Sequence, residues 1–136
     1  MDAATALADL TEISSQVEAA VVLDDAGAVV ASTLNDAGRS ARLARAAVDL
    51  LGAADKRFES GGRALTQLEA ALREGSVFVA REEGRSIVAT TTAEPTSGLV
   101  FYDLKTCLRS LAEPEPARPK RRSTKTKASP IEETDA

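Results

Sequence analysis

The stretch AVVLDDAGAVVAST, residues 20–33, places two runs of valine and alanine on either side of Asp24-Asp25-Ala26-Gly27. Small and β-branched residues fill consecutive positions, so Glu18 to Leu23 and Ala28 to Thr33 read as strands with apolar side chains on both faces. Between them the acids can bond to nearby backbone amides and the glycine accepts a positive φ, which predicts a hairpin loop. A catalytic pair of carboxylates would need a cleft, a partner base and burial to separate the two pKa values. The sequence signals none of these, and Asp24 and Asp25 are read as turn residues. A sheet made of such strands must be covered on both sides.

The covers are legible on either flank. Leu7, Leu10, Ile13 and Val17 recur at helical spacing, predicting an amphipathic helix over residues 4 to 16. Residues 38 to 59 form the longest helical segment. At about 100° per residue, Leu43, Ala47, Leu50, Leu51, Ala54 and Phe58 share one stripe, with Arg42, Arg45, Asp49 and Lys56 opposite. Ala44, Ala46, Val48 and Ala53 widen the apolar arc to roughly 220°, about twice what one supporting surface requires. Such a helix calls for two partners: its own sheet and, in a chain this short, the same helix of a second copy. The alternative is burial of the helix within a single chain.

Further along, Glu59-Ser60-Gly61-Gly62 reads as a helix end rather than a phosphate loop, because no Gly-Lys-Ser/Thr follows. Residues 64 to 73, ALTQLEAALR, fit a helix by propensity, although Thr66, Leu68, Ala70 and Leu72 also alternate as one strand face. SVFVAREE (76–83) and RSIVATTT (85–92) make a second hairpin about Glu82-Glu83-Gly84-Arg85. After Pro95, Ser97 can cap a last helix in which Phe101, Leu104, Leu108 and Leu111 hold one face. Cys107 borders that face as a small packing residue without an activating neighbour.

Composition narrows the function. At 136 residues with 43% hydrophobic content, one domain is expected over residues 1–113. The acidic N-terminus shows no secretory signal, and the longest apolar run, Ala19 to Leu23, is too short to span a bilayer. With a single cysteine, a cytoplasmic location is expected. The absence of histidine removes the commonest general base and zinc ligand. No catalytic, metal or cofactor site is indicated, so the chain is expected not to be an enzyme.

Residues 114–136 carry four of the five prolines and six Lys/Arg against four acids, leaving 11 basic and 17 acidic residues from the chain totals of 17 and 21. This Pro-rich basic tail, with Ile131 as its one large aliphatic residue, is expected to be disordered. It reads as a solvated tail or as a weak tether for anionic membrane, nucleic acid or an acidic partner. Ser123 and Thr124 stand beside its basic run. The acidic folded part is an unsuitable nucleic-acid surface.

Taken together, LDDAGAVVAST (23–33), the alanine- and leucine-rich second helix, GSVFVA (75–80), SIVATT (86–91) and PTSGLVFYDL (95–104) resemble the Roadblock/LC7 family over residues 4 to 112, in the manner of a bacterial GTPase-regulator-like member. The resemblance implies an α+β sandwich of order α-β-β-α-β-β-β-α. Its five-stranded antiparallel sheet carries helices on both faces, and residues 64 to 73 form a strand. It also implies a dimer in which the second helices and third strands meet, building a ten-stranded sheet from two identical or paralogous chains. The contact residues would be Leu43, Ala46, Ala47, Leu50, Leu51, Ala54, Leu68 and Leu72; Leu50→Arg or Ala47→Glu should disrupt it. Family members serve as dimeric platforms for small Ras-like GTPases, and here Arg42, Arg45, Asp49 and Lys56 would face such a partner. Two other readings are a PAS- or profilin-like small-ligand sensor, and a dimerisation module whose basic tail binds nucleic acid or anionic membrane.

Overall fold

The computed structural model describes residues 1–58 and 66–112. The turn expected at residues 59–62 and the basic tail lie outside the described residues. The elements follow in the order α1 (Ala3–Ile13), β1 (Val17–Leu23), β2 (Val29–Ser32), α2 (Ala37–Phe58), β3 (Thr66–Ala71), β4 (Ser76–Glu82), β5 (Arg85–Thr91) and α3 (Ser97–Ala112). All five strands join one antiparallel sheet in the order β2-β1-β5-β4-β3. Helix α2 therefore connects opposite edges. Its 22 residues give a length of about 33 Å, enough to cross five strands spaced about 4.8 Å apart.

The three central strands β1, β5 and β4 are buried on both faces, whereas the edge strands are not: β2 leaves Val29 and Val30 exposed, contrary to the covering expected for it, and β3 alternates half-buried and exposed residues. Ala20, Val22, Phe78, Ala80, Ile87 and Ala89 point to one face and pack with Leu7, Leu10, Val100, Leu104 and Leu108 of α1 and α3. Val21, Leu23, Val79 and Val88 point to the other and pack with Ala44, Ala47 and Leu51 of α2. Phe78 and Phe101 meet edge-on with ring centroids 4.9 Å apart, a favoured aromatic arrangement.

The hairpin acids punctuate the chain. Oδ1 of Asp24 accepts the amides of Ala26 and Ala28, each at 2.9 Å, and Gly27 adopts φ +86°. Local chemistry also sets the helix limits. Asp2 caps α1 through the Thr5 amide at 2.8 Å, and this bond holds its carboxyl below the usual carboxylate range. The helix stops at Ile13 instead of residue 16: Ser14 turns extended while its amide still donates to the Leu10 carbonyl, and Val17 pairs with Thr91 in the sheet. Asp36 caps α2 by accepting the Arg39 amide at 3.1 Å.

Two local readings change. Residues Thr66–Ala71 form a strand paired with β4, as the family resemblance implied and helix propensity did not; sheet pairing outweighs a preference of a few tenths of a kcal/mol per residue. Ser97 is the first residue of α3 rather than its cap. The Thr96 carbonyl accepts the Val100 amide, while the Ser97 hydroxyl donates to Glu69 on β3 at 2.9 Å.

Candidate interaction surface on the second helix

The sheet side of α2 is a narrow row: Ser40, Ala44, Ala47 and Leu51 are buried, spaced by four, three and four residues. Alanine suits this row because a small side chain lets the helix backbone lie close to the strands. The row leaves much of the helix uncovered. Val48 and Leu50 are each 40% exposed, and Ala41, Ala46, Gly52 and Ala53 are also exposed. A methyl group added at Gly52 would meet nothing within 4 Å. Glycine inside an exposed helix costs about 1 kcal/mol relative to alanine, and nothing among the described residues offsets it.

The contact residues expected from the sequence divide accordingly. Ala46 and Leu50 face outward on α2, and Leu72 is 63% exposed just past the end of β3. Leu43, Ala54 and Leu68 are half-buried, with Leu43 and Leu68 packed against the α2-side core. Ala47 and Leu51 do not join the outer set: at 0% and 6% exposure they are spent on the chain's own sheet. Ala47→Glu would therefore bury a charge inside the fold and say nothing about a second copy, whereas Leu50→Arg addresses the outer surface alone.

Charge gathers on the same helix. Arg42, Arg45, Asp49 and Lys56 are all exposed, as are Arg39 and Arg57. Of the two carboxylates on α2, Asp55 is engaged: it receives both guanidinium nitrogens of Arg81 at 2.7 and 2.9 Å. Arg81 also donates to Thr66 Oγ1 at 3.0 Å, so one side chain joins α2, β3 and β4. The paired carboxylate raises the Arg81 pKa above its already high ordinary value. This junction was not legible in the sequence, since Asp55 and Arg81 lie 26 residues apart without a shared motif. Gly52 was not singled out in the sequence either, although a glycine inside a helical pattern, costly relative to alanine, is a signal that could have marked it.

Beside the Arg81 bridge, the first and second hairpins enclose a recess of about 240 Å³ lined by Asp24, Asp25, Gly52, Asp55 and Arg81. Among the described residues, no group of three potential metal ligands stands together, and no helix is long and apolar enough to cross a membrane. Burial, with a smaller contribution from Asp9, pushes the Cys107 thiol up to about 11. It stays protonated at neutral pH, as suits a packing residue.

No family model matches the sequence, and no curated protein matches it. Solved structures do. A Roadblock/LC7 domain from Streptomyces avermitilis superposes with a TM-score of 0.70 at 22% identity, covering 82% of this chain and 96% of that one. A second Roadblock/LC7 structure from the same organism gives 0.60 at 23% identity, covering 78% and 94%. MglB of Myxococcus xanthus gives 0.57 at 16% identity, covering 76% and 85%. At these identities the likeness concerns architecture: the chain has the Roadblock/LC7 fold.

Proposed function

We propose that the chain forms a two-fold dimer through the Leu50 flank of α2 and the free edge of β3, and that this dimer is a regulatory platform for a small Ras-like GTPase. The observation that carries the reading is the unfinished cover of the sheet. One helix lies over five strands, leaves Leu50 exposed on one flank and Val48 and Gly52 exposed on the other, and runs toward an edge strand that, among the described residues, has no strand partner on its outer side. Pairing two β3 strands antiparallel would satisfy that edge. Two α2 helices would then approach over their small residues, with Leu50 and Leu72 excluding water from the joint.

In such a dimer, the cations of both α2 helices lie along one side. Arg42, Arg45 and Lys56 would meet carboxylates of the GTPase, and Asp49 would set register. Electrostatic complementarity of this kind raises the rate of encounter and disfavours wrong partners more than it adds affinity. The fold, the resemblance of LDDAGAVVAST and PTSGLVFYDL to Roadblock/LC7 sequences, and the absence of histidine all favour a binding role over catalysis.

The test is capture of small GTPases from the native cell extract on the immobilised full chain, followed by nucleotide-exchange and hydrolysis assays on each GTPase recovered. The reading requires a changed rate of exchange or hydrolysis that Arg42→Glu/Arg45→Glu abolishes. Recovery of no GTPase, or rates untouched by the chain, would refute it.

A further inference from the structure

The opposite face of the molecule carries a second surface. Gln16, just past α1, accepts the Thr96 amide at 2.6 Å through its side chain and the Thr92 amide at 3.2 Å through its carbonyl. These bonds place the end of α1 beside the start of α3, and the two helices run antiparallel. Between them is a groove of about 380 Å³ with Ala6, Leu10 and Cys107 on its floor. These floor residues are 2%, 2% and 5% exposed. On its rims, Ile13 and Tyr102 are 67% and 63% exposed, and Leu99, one turn before Tyr102, is 50% exposed. Large apolar side chains left so open along one seam mark a contact surface.

The charges around this seam have one sign. Asp9 and Asp103 line it, and Glu12 of α1 and Asp2, the cap before it, are exposed, while α1 has no Lys or Arg. The two cations of α3 are drawn to its sheet-edge flank: Lys105 donates to Gln67 at 2.7 Å and Arg109 pairs with Glu82 at 3.2 Å. The α-amino group of Met1, at one end of the groove, is the only opposing charge among the described residues that line it.

We propose that the α1–α3 groove is a docking site for a cationic amphipathic helix of a partner protein, occupied independently of the α2 face. An apolar ridge at i, i+3, i+4 and i+7 would lie between Ile13 and Tyr102, while lysines or arginines flanking the ridge meet the exposed Asp9 and the narrow open edge of Asp103, which is 8% exposed. The 11 residues of α1 set a footprint of about three helical turns. The chain's own tail supplies the charge but not the ridge, since Ile131 is its one large aliphatic residue. A chain holding one partner on α2 and another across the sheet would connect them without either competing for the other's surface.

The test uses the full chain and a fluorescein-labelled 14-residue leucine–lysine peptide with leucines at i, i+3, i+4 and i+7, followed by fluorescence anisotropy. Binding is expected, with about tenfold weakening for Tyr102→Ser or Ile13→Ser, the range of an anchor residue. Leu72→Ser, remote from the groove, should change nothing, and the glutamate counterpart of the peptide should not bind. Circular dichroism on each variant separates lost contact from lost fold. Absence of binding, or equal weakening by Leu72→Ser, overturns the proposal. So does binding that appears only when Lys120, Arg121 and Arg122 are changed to Glu, which makes the tail the occupant. Conversion of a dimer to monomer by Tyr102→Ser makes it a second copy and equally overturns the proposal.

Discussion

The two layers that cover the sheet are built to different standards of closure. On one side α1 and α3 lie together, and Leu10, Val100, Leu104 and Phe78 are at most 2% exposed. On the other, α2 lies alone and spends alanine, serine and one leucine on the sheet while Val48 and Leu50 stay 40% exposed. Both layers use apolar residues, so hydrophobicity does not separate them. Side-chain size does: large residues close the two-helix layer, whereas small ones bring α2 near the strands and leave its leucine and valine for another surface. The first layer is a finished core with a groove on its outside; the second leaves exposed apolar side chains that the proposed joint would cover.

Deleting volume in each layer is the strongest way to break this contrast. Leu104→Ala, in the closed layer, should lower unfolding free energy by about 3 kcal/mol through lost burial and a residual cavity. Leu50→Ala, on the open layer, should cost less than about 0.5 kcal/mol in the isolated chain, as exposed positions do. Urea unfolding at low protein concentration measures both, and equal losses would erase the distinction.

Gly27→Ala probes the contact between the first hairpin and α2. Its φ of +86° disfavours any side chain, and a methyl group there would lie 3.0 Å from Val48 Cγ2. A loss of about 1–2 kcal/mol is expected in the same assay. Asp55→Asn tests the fastening of α2 to the sheet. The bridge to Arg81 is bidentate but only partly buried, at 22% and 42% exposure of the two side chains, so about 1 kcal/mol is expected. Amide exchange should quicken selectively near the end of α2.

The smallest effect concerns α1. Because the Thr5 amide holds the Asp2 carboxyl below the usual range, its cap is fully effective above the ordinary carboxylate pKa. It is lost as pH falls through the lowered folded-state value. The Thr5 amide resonance should therefore titrate in acid below about pH 4, and Asp2→Ala should abolish that titration.

Much of this was readable in advance. Gly27 and its preceding acids announced the first hairpin, and the periodicities of Leu7-Leu10 and Leu104-Leu108 announced the closed layer. Residues 66–71 were ambiguous because glutamine, leucine, glutamate and alanine favour helices, while their strand form depends on β4, which lies outside any local window. The rotation of α2 was harder. A helix apolar over some 220° has no unique inner line, so the sequence put Leu50 and Leu51 on one stripe. The structure separates them, Leu51 inward and Leu50 outward, by the fit of Ala44 and Ala47 to the strands. The Arg81–Asp55 junction belongs wholly to tertiary structure.

The central claim is that the Leu50 flank of α2 is a subunit joint. Sedimentation equilibrium of the full chain and of Leu50→Arg, each checked for native circular dichroism, tests it directly. The account predicts a dimer for the parent chain and a folded monomer for the variant at micromolar concentration. A parent chain that sediments as a monomer, or a Leu50→Arg variant that remains dimeric, would contradict it.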